Sequence, residues 1–165
     1  MSELNPYAKF LDGRPVETIL SSTSHEIANK LQMIGPERVS VSPAPGKWSP
    51  AEIVCHLADC EIAFGFRLRQ TLAEDHHVLQ PFDQEKWAAP YKGIAAKDAF
   101  AAFTAIRNWN LLLIGKTLAT SATRPVTHPE RGTMTFQTIV ETMAGHDINH
   151  LQQIERLAGS LTAKQ

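Results

Sequence analysis

The stretch WSPAEIVCHLADCEIAFGFRLRQTLA, residues 48–73, decides the fold class. Ser49 precedes Pro50 and stands three residues before Glu52. A serine hydroxyl at that position accepts the N–H of the third helical residue, and the glutamate reaches back to the serine N–H. Proline at the first helical position sacrifices no hydrogen bond, because that N–H has no partner inside the helix. From this start Ile53, Leu57, Phe64, Leu68 and Leu72 return to one side at helical spacing, down to about Ala73. A helix of this length with one apolar face needs other helices to cover it.

Working outward, three more windows show the same periodicity. Pro15 to Ile34 turns Ile19, Leu20, Ile27, Leu31 and Ile34 inward and stops at Gly35-Pro36, after a short turn near Pro6 to Leu11 expected to pack on it. A third helix is expected from about Ala95 to Leu118, burying Phe100, Phe103, Ile106, Leu111, Leu113 and Ile114. A fourth begins at Thr135 as N-cap, buries Phe136, Ile139, Val140, Met143, Ile154 and Leu157, and is expected to end at Gly159. Strand signals are scarce, so the reading is an all-α four-helix bundle. The connections 35–48, 74–94 and 119–134 are longer than the two to eight residues usual in bundles. The middle one can carry the chain back to its starting end, which lets the second and third helices run parallel. A chain of 165 residues suits one domain, 1–165, with its core at about 15–159.

Composition narrows the function. A formal net charge of -1, with both signs interspersed, lacks the basic footprint that phosphate neutralisation requires, so nucleic acid is not an expected partner. No apolar run approaches a membrane span, and the opening MSELNPYAKF lacks the regions of a signal peptide, so a cytoplasmic protein without a membrane anchor is expected. Cys55 and Cys60 lie five apart on one helix and point in different directions, which predicts free thiols.

The chemistry concentrates in AGHDINHLQQIERL, residues 144–157. His146 and His150 are one turn apart on one face, His150 near the middle of the apolar stripe and His146 at its edge, with Asp147 also inward. Burying these groups without partners costs several kcal/mol. A divalent cation is one partner; ordinary hydrogen-bonded core histidines are the alternative. His56, at the flank of the second helix's apolar face, can join the pair. Three histidines from two helices, with water completing the sphere, is the pattern of an open zinc site. Glutamate does not follow His146, so HDINH departs from the HExxH of metalloproteases, and no general base is assigned. Asp59 and Asp147 are candidates to orient imidazoles or, equally, solvated or ion-paired carboxylates. Cys60 is a candidate fourth ligand or a small core hydrophobe, and Arg107 is expected to pair internally with Glu61, near Asn110, in preference to anchoring an anionic substrate. Trp48 is read as a hydrophobic staple.

Together, GKWSPAEIVCHLADCE and HPERGTMTFQTIVETMAGHDINHLQQIERL resemble the DinB/YfiT-like family of metal-binding four-helix bundles, over about residues 15–159. The resemblance implies an up-down-down-up bundle, a metal held by His56, His146 and His150, zinc or nickel as that metal, and a possible homodimer. Relatives resemble either transferases that activate a low-molecular-weight thiol or metal-dependent hydrolases. The expectation is therefore a metal-dependent enzyme on a small-molecule substrate, transferring a thiol to a small electrophile or hydrolysing one. A metal-binding or ligand-binding bundle without turnover is the alternative.

Overall fold

The structure, a computed structural model, describes residues 4–162. A 3-10 turn at Ala8–Phe10 leads into α1 (Val16–Ile34), α2 (Pro50–Ala73), a five-residue helix α3 (Gln84–Ala88) and α4 (Ala96–Ser121). A hairpin of β1 (Pro125–His128) and β2 (Gly132–Thr135) then leads into α5 (Phe136–Thr162).

The start of α2 forms as its sequence dictates. Ser49 Oγ accepts from Glu52 N at 3.3 Å and Glu52 Oε2 accepts from Ser49 N at 2.7 Å. Gly35 ends α1 with φ 81°, a conformation that carries no Cβ penalty only for glycine, and its N–H reaches Leu31 O. Thr135 caps α5, accepting from Thr138 N at 3.2 Å.

Side-chain pairings set the topology. Thr23 and Lys30 of α1 meet Asp147 and Glu155 of α5 in ascending order, so these helices are parallel. On α2 and α4, Glu61 meets Arg107 and Arg69 meets Asn110, again ascending. Across the two pairs His56 faces both His146 and His150, while Phe64, two turns further along α2, lies back beside His146, which is the descending order of antiparallel helices. The bundle is thus up-down-down-up, and the long 74–95 connection carries the chain back between α2 and α4.

Two apolar clusters fill the interior. One gathers Leu20, Phe64, Leu68, Ile114, Phe136 and Met143, and the other Ile27, Ile53, Leu57, Phe103, Leu151 and Ile154. Each fully buried aliphatic side chain contributes about 1.5–3 kcal/mol. Between the clusters lies a buried polar layer of His56, Glu61, Arg107, Asn110, His146, Asp147 and His150.

Several expectations are corrected. The 119–134 connection holds a hairpin, with Val126 opposite Met134 and both buried against the bundle. Its strands are only four residues long, and their alternation is completed by tertiary burial. The early turn packs on α5, not α1: a Cβ on Gly145 would meet Tyr7 O at 2.5 Å. α4 runs three residues past Leu118, and α5 continues through Gly159, a glycine that keeps helical backbone at a penalty of about 1 kcal/mol. Among the described residues no helix is long and apolar enough to cross a membrane.

Because Gly145 faces backbone, Gly145→Ala is expected to destabilise the protein by about 1–3 kcal/mol, and at roughly 2–4 °C per kcal/mol the midpoint of thermal unfolding should fall by several degrees. Gly115→Ala, where nothing lies within 4 Å of the added methyl, should be neutral or slightly stabilising. Thermal scans of the two variants side by side separate packing from helix propensity.

Candidate metal centre

The polar layer places the three histidines together. Helix α2 supplies His56 about two turns after its cap Ser49, and α5 supplies His146 and His150 one turn apart. His146 Nε2 stands 3.1 Å from His56 Nε2 and 3.1 Å from His150 Nε2, and the nitrogens of all three lie within 4.8 Å of one another. All three rings are buried.

Proton positions decide what this cluster accepts. His150 Nδ1 lies 2.9 Å from Gln153 Oε1, an acceptor, so its proton is on Nδ1 and its Nε2 presents a lone pair to the centre. If His146 donates from Nε2 it satisfies His150, and His56 must then turn its own lone pair inward. If His56 donates to His146 instead, His150 is left without a donor. In the first arrangement only the weakly donating Cys60 thiol, 3.5 Å away, is at hand for His56 Nε2, and in the second a buried lone pair is left without a donor, which is costly. A cation satisfies all three at once, and two nitrogens at about 2.0–2.1 Å from a tetrahedral zinc would stand about 3.3 Å apart, close to the spacing seen.

The electrostatics agree. Burial, and then the neighbouring His150, pushes the His56 pKa down to about 3. Burial likewise holds His146 well below its ordinary value, reinforced by His150, His56 and Arg107. For His150, burial outweighs the upward pull of Gln153 and Asp147. The rings are therefore neutral at pH 7, the state in which an imidazole can accept a cation. Their depressed values also set the pH dependence of the metal-free protein. Below about pH 6.5 the unfolded chain takes up protons that the folded centre refuses, so stability rises with pH in this range. Stability should be complete above that value and fall progressively towards pH 3. Urea titrations of metal-free protein between pH 7.5 and 4 should show the loss, and His56→Asn should make it shallower.

The remaining candidates separate. Asp147 accepts from Arg107 through both oxygens, at 2.6 and 3.1 Å, and from Thr23 Oγ1 at 2.8 Å, and touches no imidazole. Asp59 accepts from Tyr91 Oη at 2.6 Å. Arg107 does pair with Glu61, at 2.7 Å, while Asn110 donates to the second Glu61 oxygen at 3.0 Å. Cys60 Sγ lies 3.5 Å from His56 Nε2 and 3.9 Å from His146 Nε2. Burial, and then the nearby carboxylates, pushes its thiol pKa up, so it packs as a neutral thiol. Both cysteines are free. Trp48 lies with its ring centroid 4.9 Å from that of His56 and 6.2 Å from Tyr91, a wall of the centre as well as a lid on the helix start.

Sequence reasoning missed Gln153, although its spacing of three from His150 on one helix was a usable signal. It also missed the open side. A polar cavity of about 220 Å³ reaches His146 between Tyr7, Phe64 and the hairpin, lined also by Arg67 and Arg131.

Residues 20–154 match the DinB superfamily. Two proteins of Oceanobacillus iheyensis, each provisionally named a metal-dependent hydrolase, are similar to this chain. One is 25% identical over 95% of this chain and 96% of its own, the other 22% identical over 82% and 79%. Among solved structures, YfiT of Bacillus subtilis, a four-helix bundle of unusual topology, superposes with a TM-score of 0.81 at 17% identity, covering 89% of this chain and 86% of that one.

Proposed function

This chain belongs to the DinB superfamily, and on that footing we propose that it is a metal-dependent enzyme in which His56, His146 and His150 hold one divalent cation. The observation that carries the reading is the convergence of three neutral imidazole nitrogens within 4.8 Å of one another, one of their rings, His146, lining a polar cavity. When bound, the cation supplies a Lewis acid that lowers the pKa of a small nucleophile, either a low-molecular-weight thiol or water. Imidazole ligands suit zinc and nickel alike. The chain's own contributions are positional. Gln153 keeps the His150 proton on Nδ1, so that Nε2 is free to ligate. Trp48, Tyr7 and Phe64 exclude water from the sides of the centre, leaving approach through the cavity.

Transfer of a thiol to a small electrophile is the leading reaction, and hydrolysis is favoured by the names of the two Oceanobacillus relatives. The two separate on zinc-loaded and nickel-loaded protein assayed with chlorodinitrobenzene plus a small thiol, and with 4-nitrophenyl esters without thiol. Conjugation that vanishes with the metal supports transfer, and thiol-independent ester cleavage supports hydrolysis. Stoichiometric metal whose removal unfolds the chain, with neither activity, would mean a structural site.

A further inference from the structure

The cavity beside His146 has a chemical character of its own, set by two guanidinium groups on different elements. Arg67 projects from α2 and is held in place on three sides: it stacks near Phe64 and Phe82, at 5.9 and 5.7 Å from the ring centroids, and donates to Gln80 O at 3.1 Å. Arg131 comes from the turn of the β1–β2 hairpin, where its backbone N–H bonds to His128 O at 3.3 Å. Both line the polar cavity that reaches His146. Burial presses the Arg67 pKa below its ordinary value, and the nearby charge of Arg131 adds to this. Among the described residues no carboxylate pairs with either guanidinium within salt-bridge distance, whereas the deeper Arg107 is fully neutralised by Glu61 and Asp147. Glu130 also lines the cavity, so two guanidinium groups face one carboxylate among its charged lining residues.

Two half-buried like charges that converge beside a reacting centre repel each other until an anion lies between them. Guanidinium is also the group that binds planar oxyanions through paired N–H donors. Resting on the reading of the three histidines as the reacting centre, we propose that Arg67 and Arg131 form an anion-recognition subsite, so that the substrate carries a carboxylate or a phosphate ester close to the atom that is attacked. The cavity of about 220 Å³ admits a small anionic head group rather than a whole cofactor.

The test is calorimetric titration with benzoate, phenyl phosphate and the uncharged isostere benzamide, on metal-free and zinc-loaded protein. Benzoate or phenyl phosphate should bind at least tenfold more tightly than benzamide, and whichever anion is preferred identifies the head group. Arg131→Gln, on the half-exposed hairpin turn, should weaken anion binding at least tenfold without changing the circular dichroism. Arg67→Gln should do the same, and Arg67→Lys should recover part of the loss because the charge remains. Equal binding of benzoate and benzamide, or unaltered benzoate binding by a folded Arg131→Gln, would overturn the subsite. Binding to the metal-free protein keeps the two readings apart: anion binding without metal uptake refutes the metal centre alone, and metal uptake without anion preference refutes the subsite alone.

Discussion

His146→Ala is expected to lower bound metal from about one ion per chain to near none, and to abolish any activity that depends on it. This ring is the middle member of the cluster, since its Nε2 lies 3.1 Å from both other nitrogens. Its removal leaves one imidazole on α2 and one on α5. Two imidazoles without a carboxylate or thiolate make a weak site, and the affinity should fall by two to three orders of magnitude or more. Gln153→Ala should be milder, about 10- to 100-fold, because it releases the His150 ring without removing a ligand. Elemental analysis after dialysis against a competing chelator, with melting curves of the metal-free proteins, distinguishes loss of ligation from loss of fold. A His146→Ala protein that still carries a full complement of metal would defeat the three-histidine centre.

The largest stability effect is expected at Arg107. The side chain is 1% exposed, and its carboxylate partners Glu61 and Asp147 are 2% and 3% exposed. Burial alone would lower the arginine pKa, but the two carboxylates outweigh it and hold the guanidinium charged. Arg107→Met leaves two buried carboxylates facing each other without a cation, a situation that typically costs about 3–5 kcal/mol. At roughly 2–4 °C per kcal/mol for a chain of this size, the midpoint of unfolding should drop by about 10 °C. The triple change Arg107→Met, Glu61→Gln and Asp147→Asn removes the charges together and should recover most of that loss. Should the single variant melt with the unchanged protein, the buried network would have no part in holding α1, α2, α4 and α5 in register. Since Asp147 is the neighbour of His146, the single variant should also weaken metal binding.

Much of the bundle was legible in the residues. The capping box at Ser49, Pro50 and Glu52, the glycine stop at Gly35 and the threonine cap at Thr135 are local signals, each complete within four or five residues, and local hydrogen bonds form as they specify. The histidine spacing was legible for the same reason, because one turn of helix places His146 and His150 on one face whatever surrounds them. The hairpin was not, because four-residue strands gain their stability from Val126 and Met134 entering a core that other elements build. For Asp147 periodicity turned the side chain inward and left two fates open, orienting an imidazole or joining an ion pair, and only the position of Arg107 on a neighbouring helix decided for the second.

By itself, then, the sequence determined the four long helices, their starts, their apolar faces and the two histidines of α5, because all of these depend on contacts within a few turns of chain. Only the tertiary structure decided that His56 meets that pair, that Gln153 holds the proton of His150, and that Arg67 and Arg131 share a cavity beside them. These contacts join residues tens of positions apart, with the exception of Gln153, whose choice of partner depends on where the His150 ring is pressed. Their geometry is set by how α2, α5 and the hairpin pack, which no local periodicity encodes.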